Sequence, residues 1–542
     1  MPVVVTARVS SAVLGFLRKS AQETSTRSFV CRRCLSQQGV SQGSPQKLRR
    51  DSPFLAAFRS PVQRHVRQVS SASAVPNTAS PLASLGRSIG VRRTTKLGGF
   101  FPESNHPNVA YWLLGSAVSV FGIVIFGGLT RLTESGLSIT EWRPVTGSLP
   151  PTTQEKWDSE FDLYKASPEF KQLNSRMTLE EFKQIYWMEW IHRLWGRVVG
   201  LTFVVPTVYF IARRRVTART ALNLTGICGL IGFQGFLGWW MVKSGLKDDL
   251  FAPGSHPRVS QYRLTAHLGT AFLCYLAMFW NGVSILQEKR LMALDPTSAQ
   301  RVLAKMASPE LKPFRRSVAA LSILVFVTAM SGGLVAGLDA GLIYNEFPYM
   351  GLGLTPPKKE LFDPWYSHTP DRSDLWWRNM LENPSLVQLD HRILATTTFT
   401  AVMALWAYAR FRRGVRSALP IRALRATNIV FSLVWVQATL GITTLLYLVP
   451  LPLASAHQAG ALALLTATLF LGRQVWVPRR VAKRLAEIHL ANARHGAPTL
   501  PGIRKGFDSE TVSATGTARF VPTLKLVNSP NATTTSARNK TL

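Results

Sequence analysis

Long apolar runs dominate the chain after residue 105, and they limit the folds available to it. Each run has about 20 residues, enough for a helix rising 1.5 Å per residue to cross the ~30 Å hydrocarbon core of a bilayer. The sequence therefore predicts an all-α polytopic membrane protein. We place eight spans near residues 109–131, 192–212, 221–243, 264–286, 317–337, 392–410, 426–449 and 453–473.

The formal charge of +34 is distributed asymmetrically between the segments that join these spans. Lys and Arg mark the side from which segments are not translocated. The N-terminus, the basic loops and the C-terminal tail are thus predicted to share one side, and the two acid-rich loops at 132–190 and 338–390 the other. This asymmetry explains most of the charge, so the expected partner is the lipid bilayer, and nucleic acid is not expected. The basic segments are 212–220, 287–316, 410–425 and 473–484.

The N-terminal region has the composition of a targeting segment. Residues 1–100 contain 16 Lys or Arg, only two acids and many serines. That pattern is typical of an organellar transit peptide, so we predict a mitochondrial presequence and linker over residues 1–95. The basic loops then face the matrix, and residues 476–542 form a basic, largely disordered matrix tail. The CxxC at Cys31 and Cys34 has no second ligand pair, and we interpret it as incidental.

An internal repeat runs through the spans. FGGLTR at 126–131 resembles SGGLVA at 331–336, EWIHR at 189–193 resembles LDHR at 389–392, and FQGFLG at 233–238 resembles VQATLG at 436–441. Because four spans separate the copies, both start on the same side and the repeat is parallel. We predict two four-helix bundles, residues 105–286 and 317–475, joined by a matrix loop at 287–316.

Four histidines stand near the starts of the even-numbered spans, close to the outer face: His192, His267, His391 and His457. An imidazole inside a membrane is costly and usually has a partner. Singly, each could be an interhelical hydrogen-bonding group. As two matched pairs, His192 with His267 and His391 with His457, they favour axial ligation of two haem irons.

Polar neighbours distinguish the two pairs. Glu189 precedes His192 by three residues and shares its helix face. We align Leu386 with Glu189, so only the first half is expected to offer a carboxylate. That difference suggests one reactive site and one electron-carrying or structural site; the alternative is that Glu189 is a solvated surface charge. Arg193 and Arg392 follow the histidines; they could bind haem propionates or simply extend to the interface.

The chain resembles the haem A synthase family, in its mitochondrial form. The resemblance lies in GGLTRLTESGLSITEWRP at 127–144, YWMEWIHRLWGR at 186–197 and GLDAGLIYNEFP at 337–348, and covers about residues 105–475. It implies an inner-membrane enzyme that oxidises the C8 methyl of haem O to the formyl of haem A by successive hydroxylations, for cytochrome c oxidase assembly. Bacterial members often carry a cysteine pair in the first outer loop, which residues 132–190 lack.

The resemblance also implies roles for the histidines and for partners. His391 and His457 would hold a haem b cofactor. His192 and His267 would flank the substrate haem, and Glu189 would be catalytic. Haem O synthase and an electron-transfer partner such as a matrix ferredoxin are the expected partners, and a homo-oligomer is a further expectation. Two other classes share the ligand pattern: a di-haem electron carrier acting on quinol, and a haem or ion transporter.

Overall fold

A computed structural model describes residues 99–143, 149–252 and 255–495 of the chain. The predicted presequence, residues 1–95, lies outside the described residues, as does the part of the predicted tail after residue 495.

Eight long helices carry the fold, and we number them in chain order. Shorter helices lie in the connecting segments. The eight are α1 Pro107–Leu132, α2 Leu179–Ala212, α3 Ala218–Ser244, α4 Gln261–Met292, α5 Leu311–Gly337, α6 Pro384–Phe411, α7 Ile421–Leu446 and α8 Leu451–Val475.

Seven of these helices are long and apolar enough to cross a membrane. The all-α polytopic membrane class is therefore confirmed. The remaining helix, α6, carries Thr396, Thr397, Thr398 and Thr400 in its middle, which lowers its hydropathy. The hydroxyls of Thr396, Thr397 and Thr400 donate to backbone carbonyls of the same helix, the usual way to satisfy them in an apolar setting. That α6 is an eighth span stays a prediction.

The predicted copies of the repeat can be compared by how their helices end and pack. Helices α1 and α5 stop at equivalent positions of the two copies, Leu132 and Gly337, and each is followed two residues later by a left-handed residue, Glu134 or Asp339, at φ 52°. Within the first half α1 packs on α2 and α4; within the second, α5 packs on α6 and α8. The halves meet where α4 contacts α5 and α8 contacts α1.

The paired glycines of the repeat face two different neighbours. Gly127 lies against His192 of its own half, while Gly128 lies against Gln458 of the other half. In the second half Gly332 lies against His391 and Gly333 against Leu268 of α4. Small residues at both positions therefore let α1 and α5 each pack closely against two neighbours. One is the histidine-bearing helix of the same half, and the other is a helix of the other half.

The even-numbered helices begin further outward than the apolar runs predict. Helix α2 starts at Leu179, more than three turns before His192, so this histidine is not in the first turn. A capping box starts the helix: Glu181 N–H donates to the Thr178 hydroxyl, and the Glu181 carboxylate accepts from Thr178 N–H. The extension packs Phe182 against outer-loop aromatics such as Tyr164, which compensates for its polar residues.

The start of the C-terminal tail is ordered, which corrects the prediction of a largely disordered segment for that part. Helix Arg479–His495 packs Val481, Ala482 and Leu485 against Leu291 and the loop helix Pro296–Ala307. The composition suggested disorder because this segment is rich in basic residues. Its buried apolar residues lie on one narrow face of the helix.

Candidate functional site

Each of the four predicted histidines packs the Cε1 edge of its ring over a glycine of the preceding helix. A Cβ added at Gly127 would lie 2.7 Å from His192 Cε1, and one at Gly238 would lie 3.2 Å from His267 Cε1. In the second half the corresponding distances are 3.2 Å from Gly332 to His391 and 2.7 Å from Gly441 to His457. The glycines therefore create the room that lets each imidazole stand between helices.

The second-half pair has the spacing of two ligands on one iron. The ring centroids of His391 and His457 are 6.4 Å apart, and the ring planes are at 87°. Two imidazoles bonded to one iron from opposite sides, each through a bond of roughly 2 Å, place their centroids about 6 Å apart. The residues present thus fit a bis-histidine haem. In the first half, His192 and His267 are close enough to interact electrostatically.

Ser331 fixes the tautomer of His391. The Ser331 hydroxyl donates its proton to the carbonyl oxygen of Thr328 at 2.8 Å. Its oxygen lies 2.7 Å from His391 Nδ1, so it accepts from an Nδ1–H. The Nε2 lone pair of His391 is then free for a metal, and the ring is held in position by a second interaction.

The first-half histidines lack this support. The Nδ1 atoms of His192 and His267 are buried and have no hydrogen-bond partner among the described residues. The residue that corresponds to Ser331 at the repeat offset is Phe126, whose ring stacks on His192 at 6.5 Å with an 8° interplanar angle. The two pairs therefore share a scaffold and differ in how firmly their imidazoles are held.

Two glutamines repeat the same contact beside the fourth helix of each half. Gln234 Nε2 donates to the carbonyl oxygen of His267, and Gln437 Nε2 to that of His457, both at 2.9 Å. Gln437 Nε2 also lies 3.1 Å from His457 Nδ1. These bonds fix the backbone at the ligand positions, and the sequence predicted neither glutamine.

Glu189 is buried and fully engaged beside the first pair. Its Oε2 accepts from the Ser138 hydroxyl and from the backbone N–H of Ile139, both at 2.7 Å. Its Oε1 accepts from Arg193 Nη2 at 2.7 Å and Nε at 3.0 Å. Arg193 also donates to the carbonyls of Ile139 and Glu141. Glu189 and Arg193 together clamp the start of the first outer loop over the helix bundle.

The alignment of Leu386 with Glu189 was wrong. The residue three before His391 is Gln388, and its amide donates to the carbonyls of Ala340 and Tyr344 at 2.9 and 3.1 Å. Arg392 donates to the carbonyls of the second outer loop at Tyr344, Glu346 and Tyr349. Both halves thus carry a loop clamp, with a carboxylate in the first and an amide in the second. The arginines bind loop carbonyls, a role that neither of the alternatives for them anticipated.

The fold and the site together define a class: polytopic helical membrane proteins with two histidine pairs on a repeated scaffold, suited to a macrocycle-bound iron. The chain belongs to the COX15-CtaA family, described as cytochrome oxidase assembly protein, whose model matches residues 110–469. This confirms the family resemblance seen in the sequence.

Similar proteins span most of the described region. The chain is 53% identical over 373 residues to heme A synthase COX15 of Saccharomyces cerevisiae, covering 69% of this chain and 76% of that protein. It is 45% identical over 377 residues to heme A synthase COX15 of Homo sapiens, covering 69% and 83%. It is also 50% identical over 384 residues to a heme A synthase-mitochondrial ferredoxin fusion protein of Schizosaccharomyces pombe, covering 70% of this chain and 62% of the fusion.

Proposed function

We propose that this protein is a haem A synthase, a membrane oxidoreductase that converts the C8 methyl of haem O to the formyl of haem A for cytochrome c oxidase assembly. The observation that carries the proposal is the family match over residues 110–469 together with two histidine pairs, each seated on glycines at repeated offsets. We place it in the mitochondrial inner membrane with both termini in the matrix.

The two halves divide the work. His391 and His457 hold haem b, which supplies one-electron transfer when bound. The hydrogen bond from His391 Nδ1 to Ser331 suits a resident ligand because it fixes both tautomer and ring orientation. His192 and His267 flank haem O, and the unsupported Nδ1 atom of His192 suits a site that must release its product.

The cofactor assignment is tested by spectroscopy. His391→Leu or His457→Leu should remove the low-spin b-type spectrum of the purified protein. Ser331→Ala should keep haem b but shift its reduction potential and weaken its retention, because the Nδ1–H loses its acceptor. Full bis-histidine spectra in both Leu variants would refute the assignment.

Glu189 serves the first half. Oxidation of a methyl to a formyl with water as the oxygen source releases protons and electrons in equal number. The electrons pass to the electron-transfer partner, and the protons need an acceptor, so a carboxylate beside the substrate has a proton-handling role. In its clamped state Glu189 also holds the outer loop through Ser138 and Ile139. We propose that it orders this loop and takes up protons when the clamp opens.

Three substitutions separate these contributions. Glu189→Ala should leave the haem b spectrum intact while haem A formation falls on the order of 10²–10⁴-fold and haem O accumulates. Glu189→Asp should recover part of the activity. Glu189→Gln keeps one acceptor oxygen for the loop but no proton-binding group, so it should resemble Ala if proton transfer matters and wild type if only the clamp matters.

The measurement is the ratio of haem O to haem A in cells carrying each variant, normalised to protein level. A wild-type ratio of haem O to haem A in Glu189→Ala would refute a role for Glu189 in the reaction. Two fixed b haems with no porphyrin conversion by the wild-type chain would instead indicate an electron carrier.

The partners follow from the substrate and from one relative. Haem O must be supplied by a haem O synthase, and the fusion of a relative to a mitochondrial ferredoxin supports a ferredoxin as the electron-transfer partner. Mixing the purified protein with ferredoxin, each in turn oxidised and the other reduced, should change the haem b redox state; absence of change in both mixtures would exclude ferredoxin as a direct partner.

A further inference from the structure

A cavity of about 260 Å³ opens at the outer ends of α3 and α4 and is lined by residues from the end of α3, the loop between the two helices and the start of α4. Its wall includes three basic side chains, Lys247, Arg258 and Arg263, together with His256 and one acid, Asp249. The excess of positive side chains indicates an anionic occupant.

Two of the basic groups are held in position by the protein. Arg263 Nη1 donates to the carbonyl of Trp240 at 2.6 Å, and its guanidinium lies 4.2 Å from the Trp240 ring centroid. Arg258 Nη1 lies 3.3 Å from Asp339 Oδ2. A guanidinium carries five N–H donors in a fixed fork, so these bonds orient it without using all its donors. Lys247 is exposed at the opening.

The cavity lies one helical turn from a predicted iron ligand. Arg263 precedes His267 by four residues, so the two side chains share a face of α4, with Arg263 about 6 Å further outward. The repeat offset that relates His267 to His457 relates Arg263 to Leu453. A guanidinium at this position is therefore present in the first half and replaced by an apolar side chain in the second.

We propose that this cavity seats a carboxylate, namely a propionate of haem O bound between His192 and His267. The inference rests on the proposed function and deepens it. A fixed propionate prevents rotation of the macrocycle about the axis through the iron and the two imidazoles. It therefore determines which peripheral methyl of haem O is placed for oxidation. A guanidinium and an ammonium are both suited to bind the propionate carboxylate.

The test uses purified protein that retains its resident haem, titrated with iron protoporphyrin IX or with its dimethyl ester, which has no carboxylates. Lys247→Gln and Arg263→Gln should each weaken binding of the free acid about tenfold and leave binding of the diester unchanged. Added salt should weaken binding of the free acid only. Lys243→Gln is the matched control, because Lys243 is an exposed lysine of α3 that lies over Trp239 and does not line the cavity.

The proposed carboxylate site would be refuted if the wild type bound the two probes with equal affinity. It would also be refuted if the variants lost affinity for both probes equally. If Lys247→Gln instead reduced binding of cardiolipin vesicles while leaving the free-acid titration unchanged, the occupant would be a lipid phosphate and the proposal would be wrong. The protein could bind the free acid more tightly than the diester and still make no haem A. That result would support the carboxylate site and refute the proposed activity.

Discussion

Replacing Gly441 by alanine tests the geometry of the second-half pair directly. The added Cβ would lie 2.7 Å from His457 Cε1, whereas ordinary contact begins at 3.4 Å, so the ring must retreat by well over half an ångström. An axial bond of roughly 2 Å does not tolerate a displacement of that size. We expect Gly441→Ala to lose the low-spin haem b spectrum.

Gly332→Ala provides a graded comparison on the other side of the same pair. There the Cβ would lie 3.2 Å from His391 Cε1, so the ring has to give by no more than a few tenths of an ångström, which it can absorb. Gly229→Ala is the matched control, because nothing lies within 4 Å of its Cβ. In a helix, Gly→Ala by itself stabilises by up to about 1 kcal/mol, so loss of haem from Gly441→Ala will not reflect a weaker helix.

The assay is the reduced-minus-oxidised spectrum per purified protein, with thermal unfolding in detergent as the check on folding. The expected order of haem content is Gly229→Ala, then Gly332→Ala, then Gly441→Ala. Equal haem content in all three would refute the claim that these glycines set the positions of the imidazoles.

Three further predictions concern the outer face. Burial and the nearby carboxylates of Glu134 and Glu189 raise the pKa of Glu169 to about 8, so the native state binds a proton that the unfolded chain releases, and stability should fall by a few kcal/mol as pH rises from about 4.5 to 8. Glu169→Gln should abolish that fall in pH-dependent thermal unfolding; an unchanged profile would contradict it. Asp339 accepts from Arg131 at 2.8 Å and lies 3.3 Å from Arg258, so Asp339→Asn should lower the unfolding free energy by about 1 kcal/mol; no loss at low salt would contradict it. A tag near Pro168 should be cleaved by protease in mitoplasts, whereas protection would reverse the topology.

The sequence predicted the class of fold because apolar runs report directly on the lipid environment. It also paired His391 with His457, whose ring centroids lie 6.4 Å apart in the structure, because the repeat offsets applied to the histidines and to the glycines beneath them. That these histidines bind haem iron stays a prediction. Helix starts were less accurate: α2 extends outward to Leu179 on a capping box and aromatic contacts, and neither depends on hydropathy.

The parts of the site that were missed depend on the path of the loops. Arg193 and Arg392 donate to backbone carbonyls, which leave no mark in the sequence. Gln388 was within reach of sequence reasoning, because it stands three residues before His391, as Glu189 does before His192. Ser331 was also visible: it begins the SGGLVA motif where the first copy has Phe126.

These paired positions show how one scaffold supports two different sites. Equal helix geometry places an imidazole over a glycine four times, so the proposed ligand positions are common to both halves. What differs is the polar setting of the imidazole: Ser331 secures Nδ1 in the second half, and Phe126 leaves it unsupported in the first. A secured imidazole favours retention of a haem because the ring stays oriented for Nε2 to bind iron, whereas a less constrained imidazole suits a site that must release its product. On this reasoning the carboxylate at Glu189 and the basic cavity belong in the first half, where substrate must be oriented and its protons removed.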